Sequence, residues 1–457
     1  MADLAAALRG AVPGLTVLDD ADVMDSYRRD QAPGLPAGLP AAVAMPEDTA
    51  QVAAAVATAA VYGAPIVVRG AGSGLAGAAN AVDGCLVLST QRMNRILSVD
   101  RAERLATVQP GVINADLRKA VAEHGLFYPP DPGSYEMCTV GGNAATNAGG
   151  MCCVKYGVTG DYVRGLEAVL ADGSVLRTGG RTVKGVAGYD LTSLLVGSEG
   201  TLAVITELTL ALRPAPAPPR TIVAQFGSAA AAGAAVTAVL ASGAEPSILE
   251  IIDATTLRAI EEWQPLGVEA GTAAMVIAQS DSPHEEDLRL IEAACAGASE
   301  VIVADDAAES EMLMQARRLA YPALERLGAT LLDDVAVPLP KLVELIEGVE
   351  AIAKDRDMTV GLFGHAGDGN MHPTVVYPHG DAGAEARAFQ VFDEIVALAL
   401  RLGGTVTGEH GVGLLKRSWL ERELGEPARR TQRAIKAALD RVGLRGADAL
   451  RVEPQHR

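Results

Sequence analysis

The hydrophobic pattern is broken at two places. Between Asp30 and Pro46 the run Gln-Ala-Pro-Gly-Leu-Pro-Ala-Gly-Leu-Pro excludes a long helix, because each proline removes a backbone donor and clashes with the preceding turn. Arg213–Arg220 reads Arg-Pro-Ala-Pro-Ala-Pro-Pro-Arg, a stiff, extended connector suited to a domain boundary. Between the breaks, short β-type apolar runs alternate with glycine-rich loops. They predict strands at Ile66–Arg69, Cys85–Ser89, Leu105–Val108, Leu166–Leu170 and Leu202–Leu212. Asp48 and Thr49 form a helix start for Ala50–Tyr62. After Pro219 the pattern becomes α+β. Strands are expected at Thr221–Phe226, Ala273–Gln279 and Thr359–Phe363. Helices are expected at Ser228–Ala241, His284–Ala296, Ala308–Leu327 and Leu339–Asp355. From Lys416 onward the chain reads as helical and locally basic. The expected organisation is a leading segment 1–40, a domain 41–215, a second domain 216–415 and a helical segment 416–457 that packs back on the first domain.

Composition narrows the class. The 457 residues carry a net charge of −19, with 49% apolar residues, too apolar for disorder. The acidic balance argues against general nucleic-acid binding, which needs clustered Lys and Arg, and against a polybasic membrane surface. The five cysteines, Cys85, Cys138, Cys152, Cys153 and Cys295, contain no CxxC spacing. They form neither a disulfide framework nor an iron–sulfur set, which suits a reducing compartment. The N-terminus lacks a signal-peptide pattern. The most membrane-like window, Ala50–Val68, is broken by Gln51, Gly63 and Pro65 and reads as a core helix running into a strand. A soluble, cytoplasmic protein is expected, peripheral to a membrane at most through its electron acceptor.

Three loops carry candidate chemistry. Ile66-Val-Val-Arg-Gly-Ala-Gly-Ser-Gly-Leu-Ala-Gly77 is a strand entering a glycine-dense turn, whose backbone N–H groups can converge on an anion. Gly72, Gly74 and Gly77 formally match the dinucleotide fingerprint, but no full helix separates them from the next strand, so the Rossmann reading loses. The second stretch runs from Pro129-Pro-Asp-Pro-Gly-Ser134 into Thr139-Val-Gly-Gly-Asn-Ala-Ala-Thr-Asn-Ala-Gly-Gly150. The third is Lys184-Gly-Val-Ala-Gly-Tyr-Asp-Leu191 followed by Gly197-Ser-Glu-Gly-Thr-Leu202. Three loops rich in backbone and amide donors suit a long ligand with phosphates and a polar ring.

In this order the motifs resemble the FAD-linked oxidases of the vanillyl-alcohol-oxidase (para-cresol methylhydroxylase, PCMH) type, in particular their D-2-hydroxy-acid dehydrogenase branch. The resemblance runs from about Ala41 to Lys436. It implies an α+β fold: a two-subdomain FAD-binding domain plus an α+β cap domain with an antiparallel sheet. It also implies that Arg69, Gly70, Ala71, Gly72, Ser73, Gly74 and Leu75 wrap the FAD pyrophosphate. Pro130, Asp131, Ser134, Gly142, Asn143, Asn147, Ala148 and Gly149 would line the flavin and ribityl chain, with Glu199, Gly200, Thr201 and Ile205 near the adenosine half. Relatives with covalent flavin often carry His where Ser73 stands, so non-covalent FAD is expected.

Three of the seven histidines fall in two compact motifs, Gly364-His-Ala-Gly-Asp-Gly-Asn-Met-His372 and Gly408-Glu-His-Gly-Val-Gly413. The first reads as a β-hairpin that brings His365 and His372 to one end of a sheet. Two imidazoles and a carboxylate make a three-ligand set with an open position, as in catalytic zinc sites; the same set also suits Fe(II). Beside an FAD domain a redox-inert Lewis acid fits better, zinc or manganese. The resemblance implies His365, His372 and Glu409 as metal ligands and His410 as general base. A 2-hydroxy acid chelated through carboxylate and hydroxyl would lose its hydroxyl proton to His410 and its C2 hydride to flavin N5. Asn370 would hydrogen-bond the substrate or orient a ligand. Met312-Leu-Met-Gln-Ala-Arg-Arg318 resembles the family's Leu-Trp-x-x-Arg segment, which makes Arg317 the carboxylate clamp.

The leading expectation is oxidation of a D-2-hydroxy acid of the D-lactate or glycolate class. The alternatives are D-2-hydroxyglutarate, or a non-catalytic flavoprotein subunit of a larger oxidase. Ala329–Val335 lacks the Lys that a second substrate carboxylate would need, although Lys416 offers another source. The acceptor is a quinone, an electron-transfer protein or oxygen, and a homodimer is compatible. Asp440–Asp448 replaces the family's Asp-Pro-x-x-x-x-Asn-Pro-Gly turn, leaving any flavin contact there open.

Overall fold

The computed structural model describes residues 3–440; the altered turn after Asp440 lies outside them. The described residues fall into two compact units. One contains residues 3–149, 158–215 and 409–440, the other Gly150–Gly157 and Pro216–Gly408. The proline-rich connector therefore coincides with a crossing. The return crossing lies at Gly408/Glu409, so Glu409 and His410 stand in the first unit. The excursion Gly150–Gly157 joins the second unit for a physical reason. Lys155 Nζ lies 2.6 Å from Asp281 Oδ1, and the Tyr156 hydroxyl donates to the other oxygen of that carboxylate.

In the first unit, a four-stranded sheet runs in the order Thr16–Leu18, Ala42–Met45, Leu86–Ser89, Ile66–Arg69. The last three strands are parallel. Helix Thr49–Val61 starts at Asp48, whose side chain accepts from Gln51 N. It buries Val52, Ala55, Val56 and Ala59, the i, i+3, i+4, i+7 stripe, in a core with Leu8, Ile66, Leu86 and Leu88. A five-stranded antiparallel sheet follows the order Ile96–Asp100, Leu105–Val108, Val204–Ala211, Val163–Val169, Val175–Gly179.

The second unit is built on an eight-stranded sheet whose pairings are all antiparallel. Its path is Glu300–Val303, Arg220–Phe226, Ala274–Ser280, Ile248–Asp253, Thr359–His365, Asn370–Tyr377 and Ala329–Leu332, with Val335–Ala336 also on Asn370–Tyr377. One face carries Ile248, Ile252, Phe363 and Val376, packed with Leu257, Ile260, Ala316, Ala320 and Leu324 of helices Ala254–Trp263 and Gln315–Glu325. The single helix expected over Ala308–Leu327 is two, Ala307–Leu313 and Gln315–Glu325. Thr221 ties the first of these to the sheet, its Oγ1 donating to Ser310 O and its backbone N to Ser310 Oγ.

Candidate functional site

In the first unit the three glycine loops converge. The parallel strand Ile66–Arg69 ends on Arg69, which is buried and donates from Nη1 to Arg29 O at 2.8 Å. Burial lowers the pKa of its guanidinium, opposed by the charge of Asp30. Gly72 has φ +76°, and a Cβ there would lie 2.0 Å from Arg69 Nη2; only glycine lets the backbone run over the guanidinium. A Cβ on Gly70 would meet Thr139 Oγ1 at 2.4 Å. Thr139 caps helix Val140–Thr146 by accepting from Gly142 N, and the helix ends at Asn147 in the left-handed conformation. The Asn147 side chain then accepts from Gly160 N at 2.8 Å.

The third loop is tied to that helix end, with Gly197 N donating to Ala144 O and Glu199 N to Ala145 O. Asn143, Asp131, Pro130, Gly149, Gly200, Thr201 and Ile205 are buried around these loops, while Ala71, Ser73, Leu75, Ser134 and Ala148 are half-buried and Gly74 is exposed. The result is a continuous lining of backbone donors and small side chains, with the buried Arg69 Nε lacking a hydrogen-bond partner. That is a fitting cradle for a dinucleotide phosphate.

Glu199, expected near the adenosine half, also holds two backbone donors. Its Oε1 accepts from Val412 N at 2.7 Å and its Oε2 from Gly413 N at 2.9 Å. Burial raises its carboxyl pKa, against those two donors, which lower it. Leu414 N and Leu415 N donate to Ala76 O. The stretch after His410 is thus woven into the glycine loops. Glu409 and His410 side chains are neighbours, with Oε1 and Nε2 3.8 Å apart.

The expected hairpin forms in the second unit, Thr359–His365 against Asn370–Tyr377, with Phe363 opposite His372 and His365 opposite Asn370. This register puts both imidazoles on one face, and their Nε2 atoms are 3.2 Å apart. The rings are nearly perpendicular at 85°. His365 Nδ1 lies 2.7 Å from Glu250 Oε1; a carboxylate there holds the proton on Nδ1 and leaves the Nε2 lone pair outward. Glu250 Oε2 accepts from Arg317 Nε. Burial would raise the Glu250 carboxyl, but His365 and Arg317 beside it hold it down to about 2. Arg317 also lies over the Phe363 ring, 4.9 Å from its centroid.

Asn370 donates from Nδ2 to Asp334 Oδ1 at 2.6 Å and to Val335 O at 3.1 Å. The other Asp334 oxygen accepts from Thr407 Oγ1 at 2.7 Å and Gly408 N at 2.9 Å. Gly408 must be glycine, since its Cβ would sit 2.0 Å from Asn370 Nδ2.

Two carboxylates of this arrangement, Glu250 and Asp334, escaped the sequence reading. Both are fully buried. The available signal was a charge inside an apolar run, Ser-Ile-Leu-Glu-Ile-Ile and Leu-Leu-Asp-Asp-Val-Ala, because such charges are rarely buried without a partner. Lys416 is also fully buried.

Residues 215–444 match the family described as FAD linked oxidases, C-terminal domain, and residues 40–179 match the FAD binding domain. The chain is 42% identical to the glycolate oxidase subunit GlcD of Bacillus subtilis over 88% of this chain and 87% of that protein. It is 36% identical to a D-lactate dehydrogenase of Anaerostipes hadrus, over 82% of each. Among solved structures, p-cresol methylhydroxylase with substrate bound superposes with a TM-score of 0.80 at 16% identity, covering 98% of this chain and 96% of that one. Among the described residues no helix is long and apolar enough to cross a membrane. The glycine loops, the two-domain match and these relatives establish that the chain belongs to the FAD-linked oxidases, with the PCMH-type FAD-binding fold.

Proposed function

We propose that this protein oxidises a D-2-hydroxy acid of the D-lactate or glycolate class to the 2-oxo acid, using non-covalent FAD and a divalent metal, zinc or manganese, held by His365, His372 and Glu409. The observation that carries the reading is the pair of buried imidazoles with Nε2 atoms 3.2 Å apart, in a chain of the FAD-linked oxidase family. Two nitrogens each about 2.1 Å from one tetrahedral zinc ion lie about 3.4 Å apart, so the spacing and the donor chemistry fit. Glu250 on His365 Nδ1 is the carboxylate that metal-ligating histidines usually have behind them. Glu409 follows Gly408, which Asp334 pins.

Held by His365, His372 and Glu409, the metal would supply Lewis acidity toward the substrate hydroxyl, and FAD would supply a hydride acceptor. His410, with its side chain 17% exposed, takes the hydroxyl proton. Arg317 uses Nε on Glu250, which leaves its two terminal nitrogens to orient the substrate carboxylate. Asn370 has its amide nitrogen on Asp334 and Val335, so its Oδ1 is the atom left to accept from the substrate. The Asp333-Asp334 pair, both fully buried, disfavours a second carboxylate and supports a monocarboxylate over D-2-hydroxyglutarate.

The test is anaerobic bleaching of the flavin by D- and L-2-hydroxy acids, with and without chelator. Bleaching by a short D-acid that chelator abolishes is the expected result. No bleaching by any member, with FAD and metal both present, overturns the reading. Denaturation should release the flavin from the chain; flavin that stays attached contradicts the non-covalent expectation at Ser73.

A further inference from the structure

We propose that Glu250 is a positioning residue through which His365 and Arg317 set each other's placement, so that metal binding and substrate-carboxylate binding are coupled. The proposal rests on the reading of the site given above. Glu250 lies on strand Ile248–Asp253, where its five companions are Ile248, Leu249, Ile251, Ile252 and Asp253. The register, Ile251 opposite Gly364 and Ile252 opposite Phe363, brings Glu250 beside His365 across adjacent strands. One wholly buried carboxylate then serves two different groups, Oε1 at 2.7 Å from His365 Nδ1 and Oε2 accepting from Arg317 Nε.

Neither group can be released cheaply, because a buried charge that loses one partner keeps its desolvation cost. Phe363, two residues before His365 on the same face of its strand, has its ring centroid 4.9 Å from the Arg317 guanidinium carbon. A shift of the imidazole toward a ligand therefore draws on the same carboxylate that aims the guanidinium. The positive charge of Arg317 meanwhile offsets the negative charge behind the histidine.

The full-length, FAD-loaded protein, stripped of metal, would be titrated with ZnCl2 against a competing chelator, and its KM for D-lactate measured. E250Q keeps the shape and removes the charge. It is expected to weaken zinc binding by about 10- to 100-fold, as loss of a carboxylate behind a ligand histidine does, and to raise KM for D-lactate by about tenfold. R317M touches neither His365 nor the metal, yet it removes a cation close to a dication. It should tighten zinc binding by about threefold, which a merely structural contact would not do. This arm stands even where E250Q fails to fold. Unchanged zinc affinity in a folded E250Q, or in R317M, overturns the coupling and leaves the function intact. Wild-type protein that binds neither Zn2+ nor Mn2+ overturns the metal reading and this inference together.

Discussion

Single residues in this protein are constrained by what lies within a few ångströms of them. At Gly72 both the left-handed backbone and the Arg69 guanidinium exclude a side chain. G72A is expected to cost about 1–2 kcal/mol in backbone strain and to reduce bound FAD at least severalfold, read from the flavin-to-protein absorbance ratio. Full flavin occupancy in G72A would show that the loop does not bear on the cofactor. Burial pushes the Cys85 and Cys295 thiols up to about 11. At pH 8 about one part in a thousand of each is thiolate, so neither should react with iodoacetamide until the protein is unfolded. Rapid native-state labelling mapped to either position by mass spectrometry would contradict their burial.

Elements carry the site because of register and because of where their ends are tied. The hairpin places His365 and His372 on one face, since a strand's side chains alternate and the pairing is fixed at Phe363–His372. The stretch that bears Glu409 and His410 is held before it by Asp334 and after it by Glu199. Glu199 gives this element a pH signature. Its folded pKa is raised above the ordinary value of 4.5, so the folded state favours the protonated form. The associated stability is present below pH 4.5 and is lost as pH rises through the folded pKa. E199Q cannot ionise, so the Tm of wild type should fall relative to that of E199Q as pH increases above 4.5. Parallel Tm–pH curves for the two proteins would remove Glu199 as the cause. In the second unit, Phe226 is buried on strand Arg220–Phe226. F226A should cost about 3–5 kcal/mol by denaturant unfolding, and a change within experimental error would mean that the sheet repacks around the cavity.

Over the whole molecule, the glycine loops belong to the first unit and His365 and His372 to the second. A ligand stabilises the state it binds by mass action, about 2.7 kcal/mol at a hundred times its Kd. Removal of FAD should therefore raise amide exchange in residues 69–77, 139–149 and 197–201, and leave the paired strands Ile248–Asp253 and Thr359–His365 protected. Equal loss of protection in both units would show that they open together. The chain crosses between units at points that composition marks unevenly. The proline run before Thr221 is legible because proline cannot extend a helix or donate to a sheet. The excursion Gly150–Gly157 has no such mark, since it is set by the ion pair of Lys155 with Asp281.

The glycine loops, the His365–His372 hairpin, the proline boundary and hence the family were legible from residue order. These depend on local chemistry: glycine at positive φ, alternation along strands, and proline as a breaker. Glycine loops also keep their order along the chain, which made the resemblance readable over nearly its full length. Tertiary structure alone decided that Glu250 stands behind His365 and Arg317, and that Asp334 and Glu199 tie the ends of the Glu409–His410 stretch. The same holds for the tie between Thr221 and Ser310. In each case the partners are far apart in sequence. A buried carboxylate takes its role from whichever donors the fold brings to it, and no local pattern records which donors those will be.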